Sequence, residues 1–491
     1  MNRGIRICIL LIIALIAFCN AGAQESPDTD GGLTPFGSYL QTDIDTVDLA
    51  SGNLLFTVPL ISYPQRGALS LQFSLVANNK NWEVQQVTSG GRIFEKWVWQ
   101  GTGVSVVTNS NYVWQPGSYE SSTYAPAVVS DPSGAAHAME YMQLPNSTLV
   151  LESGDGSGIQ AGTNSGTVID RAGIVHTPAF QLLVGTPNTT KAFPEMVDAN
   201  GNQITRHVTY DSSGDAQDNG WTDSTGRTIP GGQFYAVAGP VRGVQTSRVM
   251  WWLPGSTISG IGLCPAGTSS AQQWVVPAPQ GSSATYFFCI STISLSTNFQ
   301  YLYSTVPGQP ATTPVTEYSG TVQLLSAVVL PNGETWQFSY DSYGDLTKVV
   351  RPTGGNISYV WENESPCALD SPTGISRWVS SRTVDAEDGN GGQPWTYAYL
   401  GSQTTVTDPL GNTTVHTYQV NCGRESEVKY NQLIAGQQVL LKTVDTQYQY
   451  ISGFPGVFDA YFPQQITTTL PGISSTQVVR SYDQENTGYT L

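Results

Sequence analysis

From Thr335 to Tyr340 polar and apolar residues alternate one for one. Trp336, Phe338 and Tyr340 fall on one face, and Thr335, Gln337 and Ser339 on the other. A period of two predicts a half-buried strand. Asp341-Ser342-Tyr343-Gly344 follows at once, with an aspartate that can bond its own backbone and a glycine that accepts positive φ. Leu346–Val350 is then expected to fold back as a hairpin, and Pro352-Thr353-Gly354-Gly355 to turn the chain again. Ile357, Tyr359 and Trp361 restore the one-face apolar pattern, so 330–360 reads as one unit of a meander. The same alternation occurs near the N-terminus, where Leu69, Leu71, Phe73 and Leu75 share a face. In Thr46–Leu60 a Ser51-Gly52-Asn53 turn separates two short apolar strands, and Pro59 closes the second. Trp82, Trp97, Trp99 and Trp114 follow in short strands, as core and sheet-covering side chains. No amphipathic helix of several turns is predicted after residue 23. The expected class is all-β, with repeated hairpins forming large curved sheets.

The phrase YDSYGDLT resembles the YD repeat of the RHS (rearrangement hot spot) family, roughly Gly-x6-Tyr-Asp-x-x-Gly-x-Leu-Thr. Gly333, Tyr340, Asp341, Gly344, Leu346 and Thr347 all fall in place. Degenerate copies surround it: Gly411 precedes Tyr418 by seven residues, Gly134 precedes Tyr141 by seven, and Gly201 precedes Tyr210-Asp211 by nine. Ser481-Tyr482-Asp483 begins another. The 21 residues from Gly333 to Gly354 suit a two-strand repeat. A plain meander would also yield Asp-Gly turns and strand tyrosines, which weighs most for the copies at 134 and 201. Val47, Leu49, Gly52 and Leu54 resemble the pattern that precedes the repeats in such proteins. The resemblance implies a β-ribbon spiralling into a hollow shell, often around a C-terminal toxin, or a cell-surface ribbon. It covers the lead-in pattern and 321–491. No run of tight repeats, no shell-ending motif and no toxin domain is evident, so a truncated chain or a continuing polypeptide is expected.

Met1–Ala23 reads as a secretory signal peptide: Arg3 and Arg6, an apolar run from Ile7 to Phe18, and Ala21-Gly22-Ala23 before Gln24. The apolar run is short for a membrane span. A lipoprotein reading at Cys19 competes, but Phe18 is a poor residue before a lipid-accepting cysteine. Loss of the leader leaves 18 basic residues against 37 acidic, a formal charge of about −19. So negative a surface argues against nucleic acid or an anionic membrane as partner. Only 12% of residues are charged, which suits exposed sheets better than amphipathic helices. The expected divisions are a leader (1–23), an N-terminal β-rich lead-in region (24–195), a β-rich region with a first YD-like unit (196–320), and the repeat region (321–491).

Four cysteines follow the leader: Cys264, Cys289, Cys367 and Cys422. Three pairings are open. Local closure favours Cys264–Cys289 and Cys367–Cys422, and reduced buried thiols remain the alternative. Their spacing does not suit zinc. His137, His176, His207 and His416 have no catalytic context, and no Gly-x-Ser-x-Gly or His-Glu-x-x-His motif occurs. The Gly/Ser-rich text at 151–166 lacks the lysine and spacing of a phosphate loop. Two acidic loops remain, Asp211/Asp215/Asp218/Asp223 and Asp385/Glu387/Asp388. Carboxylate pairs can hydrolyse glycosides or hold calcium. The simpler account is turn chemistry on an acidic surface.

No catalytic, cofactor or metal site is therefore expected. The expected function is a secreted, non-enzymatic structural or interaction protein whose partner is a downstream RHS-repeat or effector polypeptide. The alternative is a carbohydrate-binding or glycan-active protein using sheet aromatics and acidic loops. Exposed tryptophans and tyrosines on one face would favour glycan; aromatics packed between strands would favour the shell.

Overall fold

A computed structural model describes residues 33–481 apart from 34, 68, 90–91, 116–117, 121–122, 126, 144–148, 163–166, 178–185, 238–248, 304–312, 365–374, 420–423 and 453–458. The expected leader and the repeat copy at Tyr482-Asp483 lie outside these residues. The fold is nearly all β, as the period-two text requires. Among the described residues the one helical element is a single 3-10 turn, Pro279–Gly281. No described helix is long and apolar enough to cross a membrane.

Three antiparallel sheets carry most of the chain. A five-stranded N-terminal sheet is ordered Tyr39–Gln41, Asp45–Asp48, Leu54–Pro64, Ser70–Asn78, Ser105–Thr108. An eleven-stranded middle sheet runs from Val113–Gln115 at one edge to Thr228–Ile229 at the other. A fifteen-stranded repeat sheet runs from Ser256–Thr257 to Thr476–Val479. From Ser319–Val329 onward each of its strands pairs with the next in sequence, so this part is a meander. The strands are continuous across two of the expected divisions: 195/196 falls inside Thr190–Val197 and 320/321 inside Ser319–Val329.

Thr335–Tyr340 pairs with Leu346–Val350, Phe338 opposite Val349, with a bulge between Ser339 and Tyr340. Phe338, Leu346 and Val349 are buried while Gln337 and Ser339 are exposed. Ile357, Tyr359 and Trp361 are likewise buried on one face. One apolar core joins parts of all three sheets, and smaller clusters lie beside it, among them Ala271, Cys289, Ala327 and Val329 on the other face of the repeat sheet. Phe73 of the N-terminal sheet marks the junction. Its ring lies 5.3 Å from Trp221 of the middle sheet and 4.9 Å from Trp274 of the repeat sheet, edge-to-face in both cases.

Candidate functional site: the aspartate turns and the seam they close

One five-residue turn recurs through the chain. At Asp341 the backbone N–H of the aspartate donates to Asp345 O, and Gly344 N donates back to Asp341 O. One carboxylate oxygen, Oδ1, accepts from Tyr343 N at 2.8 Å and from Asp345 N at 2.9 Å. Gly344 takes φ +75°, so this is a type I turn closed by a left-handed residue, with the bulge that such hairpins carry. Asp131, Asp170, Asp198, Asp211, Asp223 and Asp408 repeat the arrangement, each accepting on Oδ1 from the backbone two and four residues on.

In six of these seven turns the second oxygen, Oδ2, engages a side chain. Its partners are His137 for Asp131, His176 for Asp170, Asn202 for Asp198, Arg227 for Asp223, Arg377 for Asp341 and Asn412 for Asp408. One oxygen thus fixes the turn while the other anchors a neighbour. Sequence reasoning singled out the turns at 134, 201, 344 and 411 but passed over Asp170-Arg-Ala-Gly173 and Asp223-Ser-Thr-Gly226. The recurring Asp-x-x-Gly tetrapeptide was the signal that would have found them.

The repeat-motif residues lie along the seam between the N-terminal and repeat sheets. Tyr340 donates its hydroxyl proton to Leu325 O at 2.7 Å and accepts from Val104 N at 3.2 Å. Burial pushes this phenol well above its usual range. Beside the Asp341 turn, Arg377 donates to Asp341 and, at 2.7 Å, to the fully buried Asp345. Asp345 also accepts from Asn79 Nδ2 at 2.8 Å. Burial, and then the charge of Asp341, raise the Asp345 carboxyl against the pull of Arg377. Tyr343 lies under the Arg377 guanidinium at 4.1 Å, and its carbonyl accepts from Trp82 Nε1. Leu346 is buried in the shared core and Thr347 is half-buried. Gly333, at φ +86°, closes the preceding turn.

The copy ending at Tyr418 reaches the same seam. Its hydroxyl donates to Ser38 Oγ, which donates to Glu425, and Glu425 lies 2.5 Å from His416 Nδ1. Serine and carboxylate both meet the same imidazole nitrogen, so the trio cannot relay a proton through the ring as a hydrolase would. Gly411 takes φ +82° in its turn. Tyr210 behaves differently. Its hydroxyl is buried with no hydrogen-bond partner among the described residues, beneath Lys191.

The acidic loops do not assemble into a site. Asp211 and Asp223 hold turns. Asp218 is buried against Arg206, Trp252 Nε1 and the N–H groups of Gly220 and Gly232. Asp385 and Asp388 accept from the backbone of Glu387 and Asn390. No group of three His, Cys, Asp or Glu among the described residues could hold a metal ion. The histidines are structural contacts. His207 Nε2 lies 2.9 Å from Thr222 Oγ1. His137 lies between Asp155 (2.5 Å) and Asp131 (3.4 Å), beneath a cleft of about 340 Å³ lined by Tyr112, Asp170 and Arg171.

Cys264 and Cys289 are disulfide-bonded, their Cα atoms 5.6 Å apart, tying the loop before Ser270–Pro277 to Ser283–Ser296. Cys367 and Cys422, the other expected pair, lie outside the described residues. Trp97, Trp99, Trp221, Trp274, Trp361 and Trp378 are buried, and no described tryptophan is fully exposed.

Comparison with known proteins bears on these turns. Residues 322–355 match the RHS Repeat family. No curated protein matches the chain in sequence. Similar solved structures include "Crystal Structure of TcdB2-TccC3-Cdc42", with 10% identity and a TM-score of 0.20. Another is "Crystal Structure of TcdB2-TccC3 without hypervariable C-terminal region", with 9% identity and a TM-score of 0.22. Each alignment covers 87% of this chain but only 27% of the other. Likeness at that level carries no argument about fold or function. The matched segment contains Gly333, Tyr340, Asp341, Gly344, Leu346 and Thr347, the motif whose turn and tyrosine close the seam, so the chain carries an RHS repeat at 322–355.

Proposed function

We propose that this chain is a secreted, non-enzymatic structural protein that forms part of an RHS-type shell or cell-surface ribbon and encloses or displays a partner. The observation that carries the reading is that the repeat sheet outruns its cover. As far as Val428 its core positions are packed, largely against the N-terminal and middle sheets. Beyond Val428 the described side chains are mostly half-buried or exposed, and Thr476–Val479 is exposed at all four positions. That strand is the last of the sheet among the described residues. An exposed strand edge offers unpaired backbone groups to another β polypeptide. Asp211 and Asp223 of the acidic loops hold turns, Asp218 is buried against Arg206, and six tryptophans are buried in the core, which favours the structural reading over a glycan enzyme.

Co-expression with a second RHS-repeat polypeptide tests the proposal. A complex that survives gel filtration, protects the segment after Val428 from proteolysis and is lost on Val478→Lys is the expected result. Failure to associate, together with hydrolysis of a glycan panel that Asp215→Asn abolishes without changing the circular dichroism, would put the enzyme reading in its place.

A further inference from the structure

At one end of the repeat sheet three connections lie side by side: the turn 408–412, the tip of the hairpin formed by Glu425–Ile434 and Gln437–Ser452, and the turn 470–475. The strand register places them there, with Thr413 opposite Asn431, Asn431 opposite Leu440, and Thr443 opposite Thr469. The tip therefore projects past its neighbours. It is nevertheless fixed, since Gln438 Nε2 donates to Gly411 O at 2.7 Å and Leu433 N donates to Asn412 Oδ1 at 3.0 Å.

This end carries Leu410, Leu433, Ile434, Leu440, Leu470 and Ile473, between 38% and 78% exposed. Scattered exposed aliphatics are ordinary, but a contiguous set on rigid connections marks an interaction surface. The segments that build these three connections are also nearly free of charge: 409–423, 430–441 and 460–479 contain no Asp, Glu, Lys or Arg. The charges that border these segments in sequence are Asp408, which holds its turn, and Lys442, which lies 3.8 Å over the Tyr430 ring. The adjoining connection at this end, 386–392, with the strand end before it, brings Asp385, Glu387 and Asp388 to one flank.

We propose that this aliphatic end is a self-association surface, and that its occupant is the same end of a second copy of this chain. The charge distribution selects that occupant. The chain carries a formal charge of −17, so two copies repel over most of their surfaces. A contact centred on the hairpin tip forms without placing like charges opposite each other, because the acidic connection 386–392 lies on one flank only and the 470–475 turn on the other flank is uncharged. An isologous contact closes at two copies. A lipid surface fits less well, because the end has neither tryptophans nor a ring of basic residues.

Sedimentation equilibrium of the purified chain up to about 100 μM, where weak interfaces become populated, tests the proposal. The weight-average mass should rise toward twice the monomer mass and rise further with salt, which screens the residual repulsion. Leu440→Asp combined with Ile473→Asp should hold the protein at monomer mass with unchanged near-ultraviolet circular dichroism. If that double variant misfolds, Ile434→Lys at the exposed tip should do the same. Val478→Lys, on the last strand, should leave the dimer intact, which separates this surface from the edge pairing proposed above. A monomeric wild-type protein, a dimer indifferent to the tip variants, or a dimer abolished by Val478→Lys would overturn the proposal. So would tip-dependent binding to neutral phosphatidylcholine vesicles without dimerisation.

Discussion

Asp45 and Arg382, 337 residues apart, form a buried two-point ion pair: Nε donates to Oδ2 at 2.6 Å and Nη2 to Oδ1 at 2.8 Å. Tyr359 adds its hydroxyl to the same Oδ2 at 2.6 Å. Arg382→Ala leaves a fully buried carboxylate without its cation and should cost about 3–5 kcal/mol. Replacing both partners, as Asp45→Leu with Arg382→Met, should recover much of that loss. Urea denaturation measures both. A single-variant loss below about 1 kcal/mol would mean that the pair does not hold the seam.

His137 predicts a pH dependence. Burial alone would lower its pKa, but hydrogen bonds and charge from Asp131 and Asp155 outweigh that and raise it to about 9. An unfolded histidine titrates near ~6.5. The clamp therefore contributes fully below about pH 6.5 and is lost as pH rises through about 9. The stability gap between wild type and His137→Gln should be widest near pH 6 and shrink by pH 9.5. A gap constant across that range would refute the charged clamp.

Two glycines separate backbone strain from crowding. A Cβ on Gly344 would sit 2.4 Å from Trp99 Cη2, whereas one on Gly333 would meet nothing within 4 Å. Both residues have positive φ, so alanine at either costs about 1–2 kcal/mol. Gly344→Ala should cost more than Gly333→Ala, with Trp99 fluorescence changing only in the former. Equal denaturation midpoints would place the Asp341 turn away from Trp99.

The repeat tyrosines should respond unequally to loss of the hydroxyl. Tyr340→Phe strands Leu325 O and Val104 N inside the seam and should cost about 1–3 kcal/mol. Tyr210→Phe removes a buried hydroxyl that has no partner among the described residues, and should be neutral or stabilising. Thermal melts of the two variants distinguish them, and equal losses would show that both hydroxyls are bonded.

The strands and turns of 330–360 were legible because each signal there is local. The alternation in Thr335–Tyr340 and the Asp-x-x-Gly turn lie within a dozen residues of each other and agree. The turns at Asp170 and Asp223 carry the same tetrapeptide, but strands of two residues, Val168–Ile169, Val175–His176 and Thr228–Ile229, border them. Two residues cannot display an alternation. The seam was out of reach for another reason. Arg377 and Arg382 look like solvent-facing strand arginines until the fold brings Asp345, 32 residues away, and Asp45, 337 residues away, beside them, and no local pattern encodes either partner. Proximity in sequence was a poor guide within the acidic loops, since Asp218 sits near Asp211 in the chain yet is turned into the core by Arg206.

The lateness of the seam partners has a consequence during synthesis. Leu49 O accepts from Thr404 Oγ1, and Asn79 donates to Asp345. At the roughly 5–20 residues per second of a ribosome, the first strands wait on the order of 20–70 s for the residues that cover them. For most of that interval Phe56 lacks Trp336 and Phe338, while Phe73 gains Trp221 and Trp274 sooner. That exposure makes the nascent N-terminal sheet a client for whatever holds unfolded chains.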